Sequence, residues 1–160
     1  GLYLYSKDVV IRKIDSEENK PVEGAEFTLY KAEIDEDGDW KKIDELGITA
    51  VSDKDGIVRF EKVEPGYYIL KETKAAPGYH LPYTTWKVTV SRDGTVEIVD
   101  NKGQTIETDE NGNYLIINHV TKMLPITGGM GMEIFCISGV LIALLAIFIL
   151  VLAYKRKRRA

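Results

Sequence analysis

Apolar and polar residues alternate along the first three quarters of the chain, in short runs broken by Asp-Gly, Asn-Gly and Pro-Gly pairs. Successive side chains of a strand point to opposite faces, so this alternation predicts half-buried strands. The runs fall at 9–15, 25–31, 48–52, 57–60, 67–73, 83–90, 95–99 and 114–120. Gly24 marks a bend before the second run. Asp55-Gly56 and Asp93-Gly94 are hairpin turns, and Pro65-Gly66 and Pro77-Gly78 break the chain around the fifth run. No segment of this part carries a helical period over a useful length. Short strands with turns every ~8–12 residues predict an all-β, Ig-like sandwich.

The pattern changes completely near the end. Residues 134–154 form an apolar run without a single charge, followed by Lys155, Arg156, Lys157, Arg158 and Arg159. At about 1.5 Å per residue the run matches a hydrocarbon core of about 30 Å, which predicts one transmembrane helix. The basic tip 155–160 then lies in the cytoplasm and the strands lie outside. A lipid-anchor signal would lack this cationic end. Just before the run stand Leu124, Pro125, Ile126, Thr127 and Gly128. Pro125 fixes its own φ and turns Leu124 away from helix, so the segment is extended and accessible. A short motif, an apolar span and a basic tip in this order resemble the LPxTG cell-wall sorting signal of Gram-positive surface proteins. That resemblance implies cleavage by a sortase between Thr127 and Gly128. It also implies transfer of the Thr127 carbonyl to an amine of peptidoglycan or a neighbouring subunit.

Charge and cysteine content sharpen the picture. The tip holds five of the 21 Lys and Arg residues, so the remainder has 16 against 25 Asp and Glu, a balance of −9. An acidic ectodomain argues against nucleic acid as a partner. The single cysteine, Cys136, lies in the apolar run, so the strands have no disulfide to stabilise them outside the cell. No signal peptide precedes Gly1, which points to the C-terminal piece of a longer precursor. The expected layout is a linker at 1–8, a sandwich at 9–120 and a flexible linker with the sorting motif at 121–133. The helix at 134–154 and the tail at 155–160 complete it.

Several sequence blocks carry a second resemblance. They are Lys13-Ile14-Asp15, then Pro21-Val22-Glu23-Gly24-Ala25-Glu26-Phe27, then Asp55-Gly56, and last the segment Tyr68-Ile69-Leu70-Lys71-Glu72-Thr73 running on to Gly78-Tyr79. In this order they resemble the Cna-B type domain, also called the SpaA-like, prealbumin-like domain of Gram-positive pilins and adhesins. The segment through Glu72 resembles that family's E-box. The resemblance implies an intramolecular isopeptide bond from Lys13 to Asn118, assisted by Glu72.

The residues themselves are compatible with such a site. Glu72 is in phase with Leu70 and Tyr68, and Lys13 with Ile11 and Val9. Asn118 is in phase with Ile116 and Tyr114, although Leu115 and Ile117 make its other face apolar too. Burial would lower the pKa of Lys13 and raise that of Glu72, giving a neutral amine and a protonated acid. Other readings remain open from the residues alone: a solvated edge lysine, a surface ion pair of Glu72 with Lys71 or Lys74, and a strand-end asparagine.

No cofactor or metal is expected. Asp35, Asp37 and Asp39 alternate as in a calcium loop, but the glycine is misplaced and the later Glu is missing, so an acidic hairpin turn is favoured. His80 and His119 are isolated. No nucleophilic triad or phosphate loop stands out, so the chain is expected to be a structural module and a sortase substrate, not a turnover enzyme. Together the resemblances imply the C-terminal domain of a pilus (fimbrial) subunit at the Gram-positive cell surface. Its partners would be sortase, then peptidoglycan or neighbouring pilins, with the membrane holding the precursor. The alternative is the stalk of a wall-anchored adhesin. No lysine motif of the Tyr-Pro-Lys kind is present to accept the next subunit.

Overall fold

The computed structural model describes residues 6–118 and 129–158, with side chains of the C-terminal helix described from residue 143. The chain divides into two compact units, Gly1–Lys122 and Met123–Ala160.

The first unit is an all-β sandwich. Its strands are β1 (Lys7–Asp15), β2 (Glu26–Ile34), β3 (Trp40–Lys42), β4 (Ile48–Val51), β5 (Ile57–Val63), β6 (Gly66–Lys74), β7 (Thr85–Val90), β8 (Val96–Val99) and β9 (Tyr114–Asn118). One sheet has the order β5-β1-β9. The other has the order β3-β2-β6-β7-β8, with β4 also pairing β2. The first and last strands, β1 and β9, run parallel side by side, with Lys13 opposite Ile116 and Asp15 opposite Asn118. Every other named pair is antiparallel.

The core follows from the alternation. Val9 and Ile11 of β1, Phe27 and Leu29 of β2, Val58 and Phe60 of β5, Leu70 of β6, Val88 of β7, Ile98 of β8 and Ile116 of β9 are all buried. Burying each such side chain contributes roughly 1.5–3 kcal/mol. Phe27 and Trp86 meet at a ring-centroid distance of 6.3 Å.

The turns explain the misleading calcium-like spacing. In four loops one Asp Oδ1 accepts the backbone N–H groups two and four residues on: Asp35, Asp53, Asp100 and Asp109. A glycine with positive φ follows at the fourth position, as at Gly38 and Gly56. These carboxylates organise their own turns. Among the described residues no group of His, Cys, Asp and Glu is arranged to hold a metal ion.

The strand expectations differ from the structure in several places. Strand β1 begins at Lys7, inside the linker expected at 1–8, β2 runs on to Ile34 and β5 extends to Val63. Trp40–Lys42 forms a short strand on the edge of β2 that the acidic turn obscured. Strand β7 begins at Thr85, while Tyr83 is fully exposed. Strand β9 is described only to Asn118, and 119–120 lie outside the described residues.

The second unit is one α-helix, α1 (Gly129–Arg158), with Lys155, Arg156, Lys157 and Arg158 in its last turn. It begins and ends outside the expected bounds of 134–154. Leu144, Leu145, Ile147, Phe148, Ile149, Leu150, Val151 and Leu152 are all exposed, so apolar surface runs around the whole circumference. Among the described residues no helix is long and apolar enough to cross a membrane.

Candidate functional site

Three polar side chains are buried at one end of the sandwich. Lys13 and Glu72 are 0% exposed and Asn118 is 4% exposed. Each arrives by strand phase. Lys13 continues the inward row of Val9 and Ile11 on β1, and Asn118 continues that of Ile116 on β9. Glu72 continues the row of Tyr68 and Leu70 on β6, opposite Phe27 of β2. Lys13 and Asn118 therefore come from one sheet, diagonally across the parallel β1–β9 ladder, while Glu72 faces them from the other sheet.

The ambiguity of the last strand is resolved by its position. Strand β9 pairs with β1 at the edge of its sheet, so one face covers the core and the other meets water. Ile116 and Asn118 take the inner face, and Ile117 is left 42% exposed. The solvated-edge reading of Lys13 and the surface ion-pair reading of Glu72 are excluded by their complete burial.

Two of these groups, Lys13 and Glu72, are poorly satisfied. Lys13 Nζ donates to the carbonyls of Ile14 at 3.3 Å and Ile116 at 3.4 Å. Both are longer than the ~2.7–2.9 Å of a charge-assisted bond. Neither carboxyl oxygen of Glu72 has a hydrogen-bond partner. A buried charge in that state is expensive, so burial favours the neutral forms. Burial lowers the Lys13 pKa from 10.5 to about 8, against the opposing charges of Glu72 and Asp15. Burial raises the Glu72 pKa from 4.5 to about 7, against the opposing charge of Lys13. The site thus offers an amine that loses its proton far below the usual lysine range and an acid that keeps its proton to near neutrality.

The backbone holds the amine-bearing strand firmly. Lys13 N donates to the Gly56 carbonyl at 2.7 Å, and its own carbonyl accepts from Val22 N at 3.0 Å. Gly56 sits at φ +76°, and a Cβ there would run into the Lys13 carbonyl oxygen. Asn118 also lines a groove of about 630 Å³ with His80, Leu81, Tyr83, Trp86 and Ile117. His80 is exposed there.

Two further residues escaped the sequence reading. The Tyr79 hydroxyl donates to Asp15 Oδ2 at 3.0 Å, beside the trio. The available clue was parity: Asp15 is in phase with Lys13 and Ile11 and is buried with them. Leu124, Pro125, Ile126, Thr127, Gly128 and His119 lie outside the described residues.

The fold and sequence both have known counterparts. The trypsin-resistant surface T6 protein of Streptococcus pyogenes serotype M6 is 32% identical over 110 residues, 68% of this chain and 19% of that protein. A C-terminal fragment of the pilus adhesin SpaC from Lactobacillus rhamnosus GG superposes with a TM-score of 0.55 at 21% identity, over 76% of this chain and 48% of that one. The T6 backbone pilin structure from S. pyogenes matches at 31% identity with a TM-score of 0.43, over 54% of this chain and 16% of that one. The chain thus spans about a fifth to a half of the length of these first two relatives. The family model of the SpaA prealbumin-like fold domain matches residues 7–103, more than half of the chain, and the chain belongs to the SpaA prealbumin-like fold family.

Proposed function

We propose that this chain is the C-terminal structural module of a sortase-processed pilus subunit, stiffened by an amide bond between Lys13 Nζ and Asn118 Cγ. The observation that carries the cross-link is the burial of Lys13, Glu72 and Asn118 together, with both Glu72 oxygens unpartnered. A core that holds an amine and an acid in this way is poorly stabilised as it stands. It becomes well stabilised once the amine is converted to a neutral amide.

The reaction balances without a cofactor. Neutral Lys13 Nζ attacks Asn118 Cγ, and protonated Glu72 hydrogen-bonds the carboxamide oxygen and polarises it. The Nζ–Cγ bond forms and the Cγ–Nδ2 bond breaks. Glu72 relays a proton from Nζ to the departing nitrogen, so amine and carboxamide give a secondary amide and ammonia. Folding supplies the proximity, so little catalytic power is required of each group. Glu72 acts once and is not a turnover catalyst.

The pilus role rests on the family and on the surface protein of S. pyogenes that the chain resembles. Anchoring through Thr127 rests on the sequence motif, the uncharged run at 134–154 and the basic last turn of α1. On this reading the uncharged run at 134–154, of which side chains are described only from residue 143, holds the precursor in the membrane until sortase joins Thr127 to peptidoglycan or to another pilin.

Intact mass of the folded chain is the test. The expected result is a mass lower than the sequence mass by one ammonia, with a tryptic fragment joining the Lys13 and Asn118 peptides. The full sequence mass after complete folding overturns the cross-link. Incubation with sortase should release the segment after Thr127, and an unchanged chain overturns the anchoring. A detergent-resistant ladder on cells supports a shaft subunit, and a monomeric wall-linked band supports the adhesin stalk instead.

A further inference from the structure

We infer that Asp15, clamped by Tyr79, is a positioning residue for amide formation that sets the pH at which Lys13 becomes nucleophilic. The inference rests on the cross-link proposed above.

The geometry is specific. Asp15 ends β1, two residues after Lys13 and on the same inward face, and lies opposite Asn118 in the β1–β9 register. It is 9% exposed. Its Oδ1 accepts the backbone N–H of Glu17 at 2.7 Å and of Glu18 at 3.3 Å. Its Oδ2 accepts the Tyr79 hydroxyl at 3.0 Å. Tyr79 follows the strand that carries Glu72, in a turn closed by Tyr79 N to the Ala76 carbonyl at 3.0 Å, and Ala76 is anchored in the core. One hydrogen bond thus ties the strand bearing the amine to the segment bearing the acid. The Asn118 carbonyl accepts from Ser16 N at 3.2 Å, which fixes the third strand to the same corner.

The electrostatics give this corner a task. Lys13 is faced by Glu72 from β6 and by Asp15 from its own strand, and both charges favour the ammonium form. From β9 it meets Asn118 and the Ile116 carbonyl, which do not titrate. The turn after Asp15 adds Glu17, Glu18 and Lys20, all exposed or half-buried, with Lys20 paired to Glu18. Among the described residues, protonation of Glu72 leaves Asp15 as the remaining buried carboxylate beside the amine. Its charge opposes deprotonation of Lys13, and the Tyr79 hydrogen bond draws part of that charge away.

The full chain, recovered unfolded in guanidinium, is diluted into detergent-containing buffers from pH 5 to 9, and ammonia loss is followed by intact mass. The reaction needs neutral Lys13 and protonated Glu72 together, so its pH profile is a bell, and Asp15→Asn should move the midpoint of that bell to lower pH and raise its height, because an opposing charge is gone. Tyr79→Phe should move it upward, because the carboxylate is left with more of its charge. A lost hydrogen bond that acted only on stability would change yield and Tm without moving either midpoint. Midpoints within error of the unsubstituted chain, or moving in the same direction, overturn the inference. Should Asp15→Asn fail to fold, Tyr79→Phe decides alone: an unmoved midpoint refutes it. If the unsubstituted chain loses no ammonia at any pH, it is the cross-link reading that fails.

Discussion

Glu72→Gln is the most informative single change. It keeps the shape of the side chain and removes the acid proposed to polarise Asn118, so the chain should fold without the cross-link. The magnitude follows from the loop that the bond would close. Lys13 and Asn118 are 105 positions apart in the sequence. Constraining a loop of about 100 residues is worth about 4–5 kcal/mol by the chain-entropy estimate used for disulfides. For a domain near this size each kcal/mol moves Tm by about 4 °C, so the variant should melt about 15–20 °C lower. The uncross-linked variant also keeps Lys13 fully buried as a free amine, which adds to the loss. The double variant Lys13→Met with Glu72→Gln removes that amine and should recover a few degrees, leaving the loop contribution. Scanning calorimetry in detergent, paired with intact mass on the same samples, reads both quantities. A Glu72→Gln chain that still weighs one ammonia less, or melts within about 5 °C of the unsubstituted chain, refutes the reasoning.

Three other perturbations probe the same corner. Asn118→Ala leaves Lys13 and Glu72 as uncross-linked titrating groups. Glu72, raised to about 7, loses stabilisation as pH climbs from 4.5 to about 7, whereas Lys13, lowered to about 8, gains it as pH climbs from about 8 to 10.5. Denaturant melts of this variant should therefore show a stability minimum between about pH 7 and 8 that the cross-linked chain lacks, and a flat profile contradicts it. Gly56→Ala forces a side chain into a left-handed turn and onto the Lys13 carbonyl. It should destabilise by more than about 1 kcal/mol and slow ammonia loss on refolding, as judged by urea melts and timed mass spectra. Ile116→Ala should cost about 2–4 kcal/mol and Ile117→Ala under about 1 kcal/mol, because Ile116 is 1% exposed and Ile117 42% exposed. Equal losses in urea melts would place the wrong face of β9 inward.

Strand phase made most of this fold legible, because buried sheets leave a period of two in the sequence. The same rule put Lys13 and Glu72 on inward faces among Val9, Ile11, Tyr68 and Leu70. It could not decide for Asn118, since β9 is apolar at Leu115, Ile116 and Ile117 alike. That choice depends on which strand lies beside β9, a long-range fact that local alternation does not contain. The edge strand Trp40–Lys42 was hidden for a similar reason. Its three residues are too few to show a period, and it is held by pairing with β2 and by Trp40 packing edge-on to Tyr67 at 5.2 Å. The Asp15–Tyr79 contact joins residues 64 positions apart, which no motif spacing reveals.

The parallel pairing of the terminal strands connects the proposed bond to mechanical work. With β1 and β9 side by side and parallel, tension applied at the N-terminus of β1 and the C-terminus of β9 pulls the two strands in shear. Backbone hydrogen bonds across that ladder would carry the load together, and the sandwich would open once they failed. An amide from Lys13 to Asn118 changes the path. With that amide in place, load arriving at the C-terminal end of β9 would reach Asn118, cross at once to Lys13 and leave through the start of β1. The residues between 13 and 118 then carry almost no tension. This accounts for the placement of the trio at the C-terminal end of β9. A bond near Tyr114 would leave the last residues of that strand to peel. It also relates the polar core to the absence of cysteine from the strands. A buried lysine and acid are a liability in a static sandwich, and the proposed amide would turn that lysine into the covalent link that a disulfide supplies elsewhere.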